Sequence, residues 1–290
     1  AYTGTFNGGW HKISGKEITA DTQNWGLFGS IGEDGTVQAL MVNISTFDVT
    51  ANATQSSVIA AQNAGTIERC AVQISTKFTF KVSVGLIAYE NSGLIENCRG
   101  AMTRPSSYNS DAINVAGIAY VNSGTVKSCY FHGQGRWRNY AVDYAITSSL
   151  DSGTVENCYC YDTNLWQGSN LYLDGKRTGI TSADNIQQIY SGEIIWKLNG
   201  SDNAKTEPWR LDKQSAGGTP TLDPSAGRVT KNDDGTYALE TLHTHQVNGE
   251  LKEFAAFDGS NPADSGNYYL DGDVTLDGAW TITGDTVLCL

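Results

Sequence analysis

The chain is short of positive charge and has no long apolar run, and each shortage removes a class of function. Nineteen Lys and Arg stand against 31 Asp and Glu, a net charge of -12 at pH 7. Sequence-independent binding to nucleic acid depends on cations that neutralise phosphates, and attraction to an anionic bilayer depends on the same kind of charge. The net charge disfavours both, and a neutral or cationic partner is easier to accommodate. No stretch approaches the roughly 20 apolar residues that span a bilayer. The opening Ala1-Tyr-Thr-Gly-Thr-Phe6 has neither the basic start nor the apolar core of a secretion signal. With no initiator Met and an abrupt stop on Val287-Leu-Cys-Leu290, the sequence reads as a segment cut from something longer. Six cysteines in 290 residues do not make a disulfide-dense scaffold. Only four histidines are present, none inside a catalytic motif, and no cysteine pair has zinc spacing with histidines to match.

What the chain does have is glycine (32), tyrosine (14) and tryptophan (7), the composition of strands and turns with an aromatic-rich surface. It also repeats one phrase five times: Gly35-Thr-Val-Gln-Ala-Leu40, Gly65-Thr-Ile-Glu-Arg-Cys70, Gly93-Leu-Ile-Glu-Asn-Cys98, Gly124-Thr-Val-Lys-Ser-Cys129 and Gly153-Thr-Val-Glu-Asn-Cys158. The glycines fall 30, 28, 31 and 29 residues apart, a near-constant period that marks a stack of like units.

Each unit opens on an apolar run such as Gly85-Leu-Ile-Ala-Tyr89 and then turns at a polar corner such as Asn91-Ser-Gly93. Asn and Gly both reach the left-handed conformation that a sharp bend needs. Two residues after the corner glycine comes Val37, Ile67, Ile95, Val126 or Val155. Three further on comes Leu40 or a cysteine, and two beyond that Val42, Val72, Gly100, Phe131 or Cys160. A step of two keeps side chains on one face of a strand, and a step of three must cross a bend. The reading is an all-β fold, a right-handed parallel β-helix (solenoid) whose recurrent cysteines stack as small buried hydrophobes. An antiparallel sandwich would instead show turn signals every 8–12 residues or so. Five rungs at ~4.8 Å give a prism on the order of 25 Å tall.

Residues 1 to 20 read as an opening rung. The connections after the cysteine strand differ between copies and are expected to project as loops from one side: Ser75 to Lys81, Arg104 to Tyr108, His132 to Tyr140 and Asp162 to Tyr172. Ile186, Ile189, Tyr190, Ile194 and Leu198 then step by three and four, which predicts one short capping helix near 182–199. Ser182 or Asp184 is its N-cap and Asn199-Gly200 its stop, with Gly192 an interior weakness. Its apolar face is expected to cover an open end of the solenoid. Residues 1–222 form the solenoid domain, and 223–290 a linker and the start of a small C-terminal β segment, with a hairpin around Asn232-Asp-Asp-Gly235.

The repeat, Gly26-Leu-Phe-Gly-Ser-Ile31 above all, resembles the GLUG motif family of bacterial surface proteins. Thr3 to Gly15 is similar to the opening rung that precedes such repeats, and Ser191 to Asn199 with Trp209 and Pro220 to Asp223 to the segment that closes them in large envelope proteins of gut Firmicutes. Ser265 to Leu276 with Leu288-Cys289-Leu290 resembles the start of another β-helix in those proteins. The resemblance implies a secreted or wall-attached, extracellular, multi-modular protein. GLUG repeats also occur beside immunoglobulin A peptidases. The family supplies no catalytic residues or cofactor. Where relatives carry a His-Thr-His followed by cysteines, His243-Thr-His245 is followed here by Gln246, a departure that speaks against a metal.

Asp111, Asp143, Asp162 and Asp174 are candidate carboxylates, but they do not recur at one rung position, so no acid/base pair is placed. The stronger signal is the aromatic and basic set in the connections: Arg104, Tyr108, Arg136, Trp137, Arg138, Tyr140, Trp166 and Tyr172. These types dominate interface hot spots, and flat rings also stack on sugars. The sequence therefore points to a non-catalytic, adhesin-like module that binds a host protein such as immunoglobulin or mucin, or a glycan. A β-helix polysaccharide lyase or glycoside hydrolase is the alternative.

Overall fold

The structure is a computed structural model. It describes residues 1–103, 115–134, 145–148, 152–162, 180–182, 189–200, 208–212, 219–240, 243–247, 250–257, 266–270 and 287–289. Four parallel sheets wind into a right-handed β-helix. A narrow wall of six strands stacks Thr5–Asn7, Thr36–Gln38, Thr66–Glu68, Leu94–Glu96, Thr125–Lys127 and Thr154–Glu156. A broad wall of seven stacks Lys12–Ala20, Met41–Val49, Ala71–Phe80, Arg99–Thr103, Tyr130–Gln134, Cys158–Asp162 and Ile180–Ser182. Sheets of four and three strands close the coil.

Register explains why the phrase repeats. Phe6, Val37, Ile67, Ile95, Val126 and Val155 are direct partners up the narrow wall. Their inward neighbours Leu40, Cys70, Cys98, Cys129 and Cys158 are buried in the same core. Cys70, Cys98, Cys129, Cys158 and Cys160 are free thiols. Burial holds the Cys70 and Cys129 thiols well above their usual pKa, so they stay protonated and inert.

The corner works differently from the expectation. None of Gly35, Gly65, Gly93, Gly124 or Gly153 has a positive φ. They are glycines because the rungs touch there: a Cβ on Gly65 would lie 2.2 Å from the Gly35 carbonyl oxygen, and one on Gly93 2.1 Å from that of Gly65. The left-handed residues come four positions later, where the chain turns from the narrow to the broad wall. These are Ala39, Arg69, Asn97, Ser128 and Asn157, with φ between 48° and 52°. Only two of the five are Asn, the residue best suited to that conformation. Beside the glycines, Asn63, Asn91 and Asn122 are buried and linked amide to amide at 2.7 Å, each Nδ2 donating to the next Oδ1. The Oδ1 of Asn63 ends the chain without a partner, because the rung above presents Ile31 in register with it.

Two other expectations give way. Residues 75–80 do not project: they continue the strand Ala71–Phe80 against Met41–Val49, past a bulge between Ile44 and Thr46. Phe47 and Val49 are buried there, which gives the extension its own apolar strip. The helix is also shorter, because Ser182 belongs to a strand and Gly192, at φ 89°, breaks the helical run. The described α-helix is Glu193–Leu198, closed at Asn199 and Gly200 as the sequence indicated, with Lys197 paired to Glu193. A Cβ on Gly192 would meet Val229 at 2.7 Å, so close packing as well as φ requires glycine there.

The helix covers the side of the solenoid instead of its end. Ile194, Ile195 and Leu198 pack with Trp209, Leu211, Leu222 and Val229 onto Tyr130 and Ala71 of the broad wall. Beyond it, Arg228–Lys231 and Tyr237–Glu240 form the expected hairpin. Arg228 ties the hairpin strand to Glu240 (2.9 Å) and Glu253 (2.7 Å). Glu250–Ala256, Asn267–Tyr269 and Val287–Cys289 pair in parallel. No helix among the described residues is long and apolar enough to cross a membrane.

Candidate functional site

Alternation along the broad wall sends every second side chain outward, in two rows. One row reads Lys12, Met41, Ala71, Arg99, Tyr130, Tyr159, and the other Ser14, Asn43, Gln73, Ala101, His132, Tyr161. The outer face thus changes along its length, from small and polar to aromatic.

The aromatic end is where the chain straps itself down. Trp209 is fully buried, and its Nε1 donates to the Asn97 Oδ1 and the Ser128 carbonyl, both at 3.2 Å. Its ring meets Tyr130 edge-on at 6.3 Å. Asn199 grips the same backbone twice, accepting from the Trp209 amide and donating to its carbonyl at 3.0 Å. From this anchor the strands Arg210–Asp212 and Thr219–Thr221 run as an antiparallel pair beside the wall.

Between strap and wall, over the small polar part of the face, lies a cleft of about 370 Å³. Ala71 and Ala101 leave the room for it. Asn43, Gln73 and Arg99 line its floor, with Lys12 and His132 beside them, and Asp212, Thr221 and Asp223 face it from the strap. The cleft is therefore polar, with hydrogen-bond groups of both charges.

Two of its side chains are under-satisfied. Arg99 is half-buried, and among the described residues its guanidinium reaches one acceptor, the Gln73 Oε1, 3.5 Å from Nη1. Its Nε is buried without a partner, and among the described residues it makes no salt bridge. Burial pulls its pKa down, partly opposed by Tyr130 and Asp212. His132 is 4 % exposed; its Nδ1 lies 3.0 Å from the Tyr130 hydroxyl, and its Nε2 has no partner among the described residues. Burial, then the Arg99 charge, lowers its pKa to about 4, so the imidazole is neutral at neutral pH. Burial raises the pKa of Tyr130, which keeps its proton. Donated to Nδ1, that proton leaves the imidazole hydrogen on Nε2 as an unused donor.

Arg104, Tyr108, Arg136, Trp137, Arg138, Tyr140, Trp166 and Tyr172 all lie outside the described residues, as do Asp111, Asp143 and Asp174. The sequence reading missed Arg99, His132 and Asp212. The first two carried a signal, since they occupy the alternate positions of the strands whose inner residues set the repeat. Asp212 carried none, because 113 residues separate it from Arg99. Elsewhere, the Nε2 atoms of His243 and His245 approach to 2.6 Å, with His243 stacked on Tyr269. Among the described residues no three His, Cys, Asp or Glu side chains gather as a metal site would require. No family model, curated protein or solved structure matches the chain at a significant level.

Proposed function

We propose that the chain is a non-catalytic, adhesin-like binding module of a secreted or wall-attached bacterial surface protein, and that the broad-wall cleft receives a glycan. The observation that carries this reading is the cleft. It sits on a stack of parallel strands, and its lining combines hydrogen-bond donors and acceptors with a few apolar side chains, Met41 and Met102 among them. Ligand sites of roughly 300–1,000 Å³ are usually lined by apolar groups. A polar lining at the small end of that range suits a sugar ring, whose hydroxyls use both donors and acceptors. The resemblance of the repeat to GLUG modules supports the extracellular setting. A host protein such as immunoglobulin or mucin remains a partner through glycans that it carries.

The test is capture of glycans from mucin and serum on the immobilised 290-residue chain. Ala101→Trp, which fills the cleft from its floor, should reduce capture at least tenfold while the fold is retained. Undiminished capture by a folded Ala101→Trp variant contradicts the cleft as the site. A polysaccharide lyase or glycoside hydrolase is the second reading, favoured by Asp212 and Asp223 facing one cleft with Arg99 and Lys12. Product release from a glycan panel that vanishes in Asp212→Ala would establish it.

A further inference from the structure

We infer that the sugar seated in this cleft is acidic, bearing one oxyanion group, carboxylate or sulfate, that is held by the Arg99 guanidinium; the inference rests on the cleft being a glycan site. Arginine presents five donors in a planar fork that matches a two-oxygen anion. In Arg99 that fork has one long contact, to Gln73, and no carboxylate partner among the described residues. The two buried arginines of the strap region behave differently: Arg228 is closed by Glu240 and Glu253, and Arg210 lies 3.9 Å from Glu253. A half-buried cation left open toward a cleft is costly unless something fills the place of the missing anion.

The neighbours agree with one anionic group and no more. Lys12 adds a second positive charge, and His132, neutral at neutral pH, adds no negative one. Asp212 and Asp223, on the strap side, would repel a polyanion but accept hydrogen bonds from ring hydroxyls. A monoanionic sugar satisfies both sides, its acidic group toward the floor and its hydroxyls toward the strap. A neutral sugar leaves Arg99 unpaired.

The experiment is calorimetric titration of the 290-residue chain with matched monoanionic probes: 3′-sialyllactose and its methyl ester, 3′-sulfolactose and lactose, and methyl galacturonoside and its methyl ester. At least one acidic probe should bind tenfold or more tightly than its neutral counterpart, and Arg99→Met should erase that difference. The sialyl and galacturonate arms report a carboxylate, and the sulfo arm a sulfate. The ester comparison uses the unaltered protein, so it decides the matter even if Arg99→Met fails to fold. Equal binding of acidic and neutral probes overturns the inference and leaves the glycan reading standing. So does an acidic preference that survives in folded Arg99→Met, which also removes Arg99 from the account. No binding by any probe overturns the glycan reading and this inference with it.

Discussion

The inner face of the broad wall presents Ile13, Val42, Val72, Gly100, Phe131 and Cys160, and the outer face of the same strands presents Lys12, Met41, Ala71, Arg99, Tyr130 and Tyr159. The two rows share every backbone hydrogen bond, yet only the inner one keeps to a single chemical type, with Gly100 as its gap. An inner side chain is buried only by the rungs above and below, so it must match them. An outer side chain answers to whatever lies against it. At one end that is the strap, and at the other it is the cleft. Inner changes should therefore cost stability, and outer changes at the cleft should cost binding.

The largest effect is expected at the strap anchor, the one outer site that behaves as core. Trp209→Ala removes a fully buried indole and should destabilise the chain by about 3–5 kcal/mol, read in denaturant unfolding. It should also expose Tyr130 and abolish the cleft. A loss under ~1 kcal/mol would mean that the strap is not packed as described.

Next comes the pH dependence at the boundary between the two outer regions. His132 is neutral when folded, with a pKa near 4, whereas the unfolded side chain takes up its proton near 6.5. Between those values the unfolded state binds more protons, so stability is complete above ~6.5 and falls as pH drops toward 4. The loss should be on the order of 3 kcal/mol. Arg99, Tyr130 and Tyr161 surround the ring. His132→Gln should flatten that part of the pH–stability curve.

Inside the coil, Asn91→Ala breaks the amide chain at its middle and leaves the buried Asn122 Oδ1 without its donor. A cost of about 2 kcal/mol or more is expected, seen as a lowered thermal midpoint. The smallest effect has the opposite sign. Ala39→Gly relieves a left-handed residue at φ 51° and should stabilise by about 1 kcal/mol. Arg99→Met, which removes an unpaired half-buried cation, should leave stability unchanged or slightly raised.

The inner face was legible in the sequence because burial in a stack forces like residues to recur at one period. Val37, Ile67, Ile95, Val126 and the cysteines announce both the coil and its contents. The Asn232 to Gly235 turn and the Asn199-Gly200 stop were equally plain, being local backbone chemistry. Less plain was what a glycine does. Gly65 looked like a conformational need and proved to be a steric one, while Arg69 and Ser128 take left-handed φ with side chains that do not advertise it. The strap was hidden because Trp209 reaches back across 79 residues to Tyr130, and nothing local tells a helix whether it will cover an end or a side. For the same reason the cleft could not be read directly. It exists where the unremarkable Ala71 and Ala101 pass beneath a distant segment.

The account's central claim, that the outer broad wall beneath the strap is the binding surface, is tested most directly by hydrogen exchange. The 290-residue chain would be followed by mass spectrometry with and without a pool of acidic mucin glycans. Protection is predicted in 41–43, 71–73, 99–102 and 208–223, with the narrow wall unchanged. Protection confined to 104–114, 135–144 and 163–179, with the cleft strands unaffected, would contradict it.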